Sequence, residues 1–124
     1  MTLNLDELSA VFAEDPRVVS AVLFGSSRDG TVRSGSDVDI GVLMSPAMTP
    51  LEFYTFYITM TSKLNSIPEL DLIDLNHANS ILAFEALQGR RLFVRDKDAW
   101  AAFSSQIARE YEADMLHASA YLAA

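Results

Sequence analysis

Val18-Val19-Ser20-Ala21-Val22-Leu23-Phe24 is a β-branched and apolar run broken by one serine and bounded by Pro16 and Gly25. Such a run predicts a strand buried on both faces. A second run, Asp37 to Met44, alternates instead: Val38, Ile40, Val42 and Met44 share one face, and Asp37, Asp39, Gly41 and Leu43 the other. The third, Glu69 to Leu75 after Pro68, sets Leu70 and Leu72 against Asp71, Ile73 and Leu75, so that Asp71 and Asp74 lie on opposite faces. Helical periodicities surround these runs. Asn4 and Glu7 resemble a capping box that opens an amphipathic helix carrying Leu5, Leu8, Val11 and Phe12 and ending before Pro16. Thr49-Pro50-Leu51-Glu52 supplies an N-cap, a proline at the first helical position and a returning glutamate, and predicts a helix to about Leu64. Ile81 to Leu87 predicts a short helix closed by Gly89, and Arg91 to Arg95 an edge strand. Trp100, Phe103, Ile107, Tyr111 and Met115 recur at helical spacing and predict a long final helix packed on the domain's own sheet. The expected fold is α+β, a small mixed β-sheet of three main strands plus an edge strand flanked by α-helices, in a single domain spanning residues 1–124.

The chemistry lies where the strands end. Gly25 lets the backbone turn sharply, and Ser26 and Ser27 present hydroxyls and amides suited to an anion such as a phosphate. Asp37 and Asp39, side by side on one face, repel each other and lose water, a cost of several kcal/mol unless something compensates it. A hard divalent cation does so. Carboxylate and phosphate oxygens are the ligands Mg²⁺ prefers, and two such ions roughly 3.5 to 4 Å apart hold both oxygens of an in-line displacement. A third carboxylate is then needed; Asp71 is the candidate, with Asp74 the alternative on the opposite face. The competing reading of Asp37 and Asp39 is an acidic turn leading into an edge strand.

Composition narrows the classes. The chain has 124 residues, half of them hydrophobic, enough for one core. No apolar run reaches membrane-spanning length, and the first residues lack a signal-peptide pattern, so a cytoplasmic location is expected. There are no cysteines, and His77 and His117 read as surface or helix-packing residues. With 17 acids, 9 bases and a net charge of −8, the surface repels a nucleic-acid backbone, which argues against a long nucleic-acid substrate.

Leu23-Phe24-Gly25-Ser26, then Ser36-Asp37-Val38-Asp39-Ile40, then Asp71-Leu72-Ile73-Asp74-Leu75 and Gly89-Arg90-Arg91-Leu92-Phe93 resemble the minimal nucleotidyltransferases (MNT) of the DNA polymerase β-type superfamily along nearly the whole chain. The resemblance implies the nucleotidyltransferase fold. It also implies metal-binding and catalytic roles for Asp37, Asp39 and Asp71, and triphosphate binding at the Gly25-Ser26 turn with Ser27. Many relatives carry a basic residue two positions before the glycine that closes this turn; here Arg28 stands two positions before Gly30 with Asp29 between them, and Arg28 and Arg33 are the candidate triphosphate contacts. Several members are antitoxins encoded beside a HEPN-domain toxin, which they silence by transferring AMP from ATP to a tyrosine.

These lines together predict an Mg²⁺-dependent nucleotidyltransferase with ATP as co-substrate, two metal ions and a HEPN-type toxin as partner, in a homo- or hetero-oligomer. A bare core has little surface with which to enclose a small acceptor, whereas a protein acceptor brings its own positioning contacts. The alternatives are a non-catalytic antitoxin that neutralises its partner by occlusion, and a small-molecule nucleotidyltransferase whose acceptor pocket is completed by another chain.

Overall fold

A computed structural model describes residues 1–123. Chain order is α1 (Leu5–Ala13), β1 (Val18–Phe24), a 3₁₀ turn (Gly25–Ser27), β2 (Val38–Met44), α2 (Pro50–Lys63), β3 (Leu70–Asp74), α3 (Ser80–Leu87), β4 (Arg90–Val94) and α4 (Lys97–Ala123). The four strands form one sheet in the order β3-β2-β1-β4. β1 is antiparallel to both neighbours, and β2 and β3 run parallel, joined by α2. β1 is buried at every position, Ser20 included, as its apolar run predicts.

Alternation along the strands divides the core in two. Ala21, Leu23, Val38, Ile40, Val42 and Leu72 meet Leu8 and Phe12 of α1 and Phe56 and Met60 of α2. Val19, Val22, Phe24, Leu43 and Leu75 meet Ala86 of α3 and Trp100 of α4. The cap of α2 is the one expected: the Thr49 hydroxyl accepts from Glu52 N at 3.2 Å, and the Glu52 carboxylate accepts from Thr49 N at 3.0 Å. At α1 only half of the box forms, with Asn4 Oδ1 accepting from Glu7 N.

Two expectations are corrected. Gly89 does not close α3 through a left-handed residue, since among the described residues only Gly25, Gly30 and Gly35 have positive φ. Glycine is required there because a Cβ would run into the Leu23 carbonyl and stand 2.8 Å from Phe24 Cβ; β4 thereby starts hard against the end of β1. α4 packs on the sheet only near its start, through Trp100. Farther along it lies on α3: Tyr111 stacks on Phe84 with ring centroids 4.0 Å apart, and Asp114 accepts the hydroxyl of Ser80.

Candidate active site

Parallel pairing sets Asp39 directly across from Asp71. Asp37, two residues before Asp39, shares its face. The three carboxylates converge, with one oxygen from each within 4.8 Å of the others. Asp37 is exposed, and Asp39 and Asp71 are half-buried. None of them forms an ion pair among the described residues. Burial first, and then the charges of Asp71 and Asp37, push the Asp39 carboxyl above its ordinary range. Glu85, at the exposed side of α3, adds to this field. Asp74 lies on the other face, its Oδ2 2.8 Å from His77 Nδ1 and its Oδ1 accepting from Asn76 N. It is therefore outside the cluster.

The turn abuts these acids. Gly25 has φ +74°, and a Cβ there would run into Asp39 Oδ2, so no other residue brings the backbone this close to the carboxylate. Ser26 is exposed beside it. Ser27 is not available to a ligand: it is fully buried, and its hydroxyl donates to the Asp37 carbonyl at 3.1 Å, bracing the start of β2. Arg33 also departs from expectation. Its guanidinium donates to the Ser26 carbonyl at 2.5 Å and pairs with Asp29 at 2.9 Å. Asp29 thus belongs to a brace that holds the loop, and Arg33 with its neighbouring amide donors keeps the Asp29 carboxyl below its usual range. The opposite side of the loop is tied to the chain's first residues through Leu3 N to Gly30 O and Val32 N to Met1 O. Arg28 is exposed and lines an open cleft of about 400 Å³ with Asp29, Gly89 and Arg90. Arg90 was not foreseen; it reaches this cleft because Gly89 seats β4 against β1.

Tyr57 is the other unforeseen contact. From α2 its hydroxyl reaches the Leu70 carbonyl at 2.9 Å and Asp71 Oδ1 at 3.1 Å. Burial, opposed by a backbone hydrogen bond and reinforced by the Asp71 charge, holds this phenol protonated above its normal range. In the sequence Tyr57 is one of four aromatics on α2, with Phe53, Tyr54 and Phe56, and nothing local distinguishes it from them. A separate cavity between α1 and α2, lined by Val11, Phe56 and Met60, is remote from the acids.

The donor set fits a hard divalent cation: three converging carboxylates with no cationic partner among the described residues, and one acid already raised by burial and by its neighbours. Beside a turn with an exposed serine, this arrangement suits displacement at a phosphate.

Residues 6–98 match the family described as polymerase beta, nucleotidyltransferase. The protein adenylyltransferase MntA of Shewanella oneidensis strain MR-1 is 31% identical over 84 residues, which cover 67% of this chain and 59% of that protein. The match therefore spans less than two thirds of the relative's length. The fold is shared with a toxin–antitoxin complex crystallised with AMP-PNP, at TM-score 0.79 and 22% identity over 97% of this chain and 96% of that one. It is shared also with the MNT antitoxin bound to a tri-AMPylated Shewanella oneidensis HEPN toxin, at TM-score 0.71 and 20% identity over 95% and 93%.

Proposed function

The chain belongs to the polymerase beta nucleotidyltransferase family, and on that footing we propose that it is an antitoxin that transfers AMP from ATP to a tyrosine hydroxyl of a HEPN-type toxin. The observation that carries this reading is the convergence of Asp37, Asp39 and Asp71 on one sheet face against the Gly25-Ser26 turn. The 31% identity to a protein adenylyltransferase supports AMP as the group moved. Asp37, Asp39 and Asp71 would hold Mg²⁺, as two ions, which when bound neutralises the phosphate oxygens and polarises the phosphorus for attack.

The chain's own residues do the remainder. Gly25 and Ser26 seat the triphosphate through backbone and hydroxyl donors, in a loop whose shape the Asp29–Arg33 pair maintains. Arg28, and Arg90 across the cleft, supply cationic charge for the leaving pyrophosphate. Asp71 accepts the proton of the acceptor hydroxyl as its oxygen bonds to the α-phosphorus and the bond from that phosphorus to the pyrophosphate oxygen breaks. The work is cytoplasmic in this reading, and no helix among the described residues is long and apolar enough to cross a membrane.

Incubating the chain with ATP, Mg²⁺ and the HEPN-type protein encoded beside it tests the reading by mass spectrometry. The expected result is an AMP adduct on a tyrosine of the partner, absent with Asp37→Ala and with Asp39→Ala. Neutralisation of the partner without an adduct, unchanged in both variants, would sink it in favour of occlusion.

A further inference from the structure

We propose that Tyr57 is a positioning residue for Asp71: its hydroxyl, brought over the free edge of β3, fixes that carboxylate's orientation and reserves Oδ1, leaving the other oxygen for a cation or an acceptor proton. This rests on the role given to Asp71 above.

The geometry is unusual because the two residues belong to opposite sides of the sheet. α2 covers the face that holds Leu72, while Asp71 points to the face that holds Asp39. β3 is an edge strand, paired only with β2, so a side chain long enough to pass its rim can join the two faces. Tyr57 does so, 2.9 Å from the Leu70 carbonyl and 3.1 Å from Asp71 Oδ1. Its ring is set independently of those bonds, edge-on to Phe53 at 88° with centroids 6.3 Å apart. The hydroxyl is therefore placed by the core, and the flexible carboxylate comes to it.

Satisfying Leu70 alone does not require a phenol, since a carbonyl at a sheet rim can be met by water. Asp71 has the greater need. Its side chain turns about two torsions, so without a fixed partner the carboxylate can present either oxygen to Asp39 across the ladder. The phenol's single proton is shared between the Leu70 carbonyl and Asp71 Oδ1, and a hydroxyl donating to a carboxylate makes one of the stronger hydrogen bonds available, which fixes how that carboxylate is turned. Asp71 is thus oriented before a cation arrives, as outer hydrogen-bond partners do for metal ligands elsewhere.

Tyr57→Phe removes one oxygen and keeps the ring. Mg²⁺ affinity, measured by calorimetry with a non-hydrolysable ATP analogue, is expected to weaken about 10- to 100-fold. The kcat for adduct formation should fall comparably, with KM for ATP within about twofold, because the triphosphate turn is untouched. Thr49→Ala, which uncaps the same helix, serves as the stability control and is expected to keep wild-type Mg²⁺ affinity. If Tyr57→Phe matches the wild type in Mg²⁺ affinity and kcat, Tyr57 serves only the sheet edge and the inference is overturned. If the wild type itself shows neither Mg²⁺-dependent nucleotide binding nor an adduct, the reading of the site fails instead.

Discussion

Asp39 is the side chain whose charge the metal-free fold accommodates least. Its folded pKa is raised, so the folded chain holds that proton more tightly than the unfolded chain does. The resulting stabilisation is present at low pH and is lost as pH rises from the ordinary carboxylate range through the raised value. At neutral pH the charge is a burden: like charges about 4 Å apart cost at least about 1 kcal/mol. Asp39→Asn is accordingly expected to raise the Tm of the metal-free chain at pH 7 by roughly 2–6 °C, and to flatten the fall in stability across that window. Mg²⁺ should raise the Tm of the wild type and leave the variant unchanged; thermal melts over pH, with and without Mg²⁺, read both. A variant no more stable than the wild type at pH 7 would contradict the repulsion. The shared face of Asp37 and Asp39 was legible in the sequence from strand alternation; for the third acid alternation left Asp71 and Asp74 as alternatives, and the β2–β3 register decides for Asp71. Ser27, Arg33 and Tyr57 were not legible, since each bonds to a group whose position depends on a loop path or a helix crossing.

Elements were read most readily where their ends are written locally. Thr49, Pro50 and Glu52 announce α2, and Pro16 and Gly25 bracket β1. Gly89 misled because a glycine after a helix resembles a cap, while its real constraint comes from Leu23 and Phe24, distant in sequence. The apolar stripe of α4 identified its buried side, but periodicity does not say whether a sheet or a helix lies beneath. Burial fades along this helix: Ile107 is 4% exposed, whereas Leu116, Tyr121 and Leu122 are 65%, 78% and 82% exposed. Ile107→Ala is expected to cost about 2–4 kcal/mol in urea unfolding. Deleting residues from 117 onward should change stability by no more than about 0.5 kcal/mol, as for surface changes generally. A larger loss would reveal packing for the distal turns.

At the scale of the whole molecule, the net charge of −8 sets what the surface can hold. In the proposed reading phosphate binding is confined to one turn and the nearby Arg28 and Arg90, too few cations to track a nucleic-acid backbone. Fluorescence anisotropy with a labelled single-stranded RNA is expected to show no binding below about 10⁻⁴ M protein at physiological salt. Tight, salt-sensitive binding would reverse that view of the surface. The parallel pairing of β2 and β3 has a consequence of another kind. Asp71 stands opposite Asp39 in only one alignment; a slip by a single residue presents Leu70 or Leu72 there and turns Asp71 to the far side. Only the correctly paired chain assembles all three oxygens, so a cation bound there would act as a proofreader of strand alignment, rewarding the one pairing that can hold it.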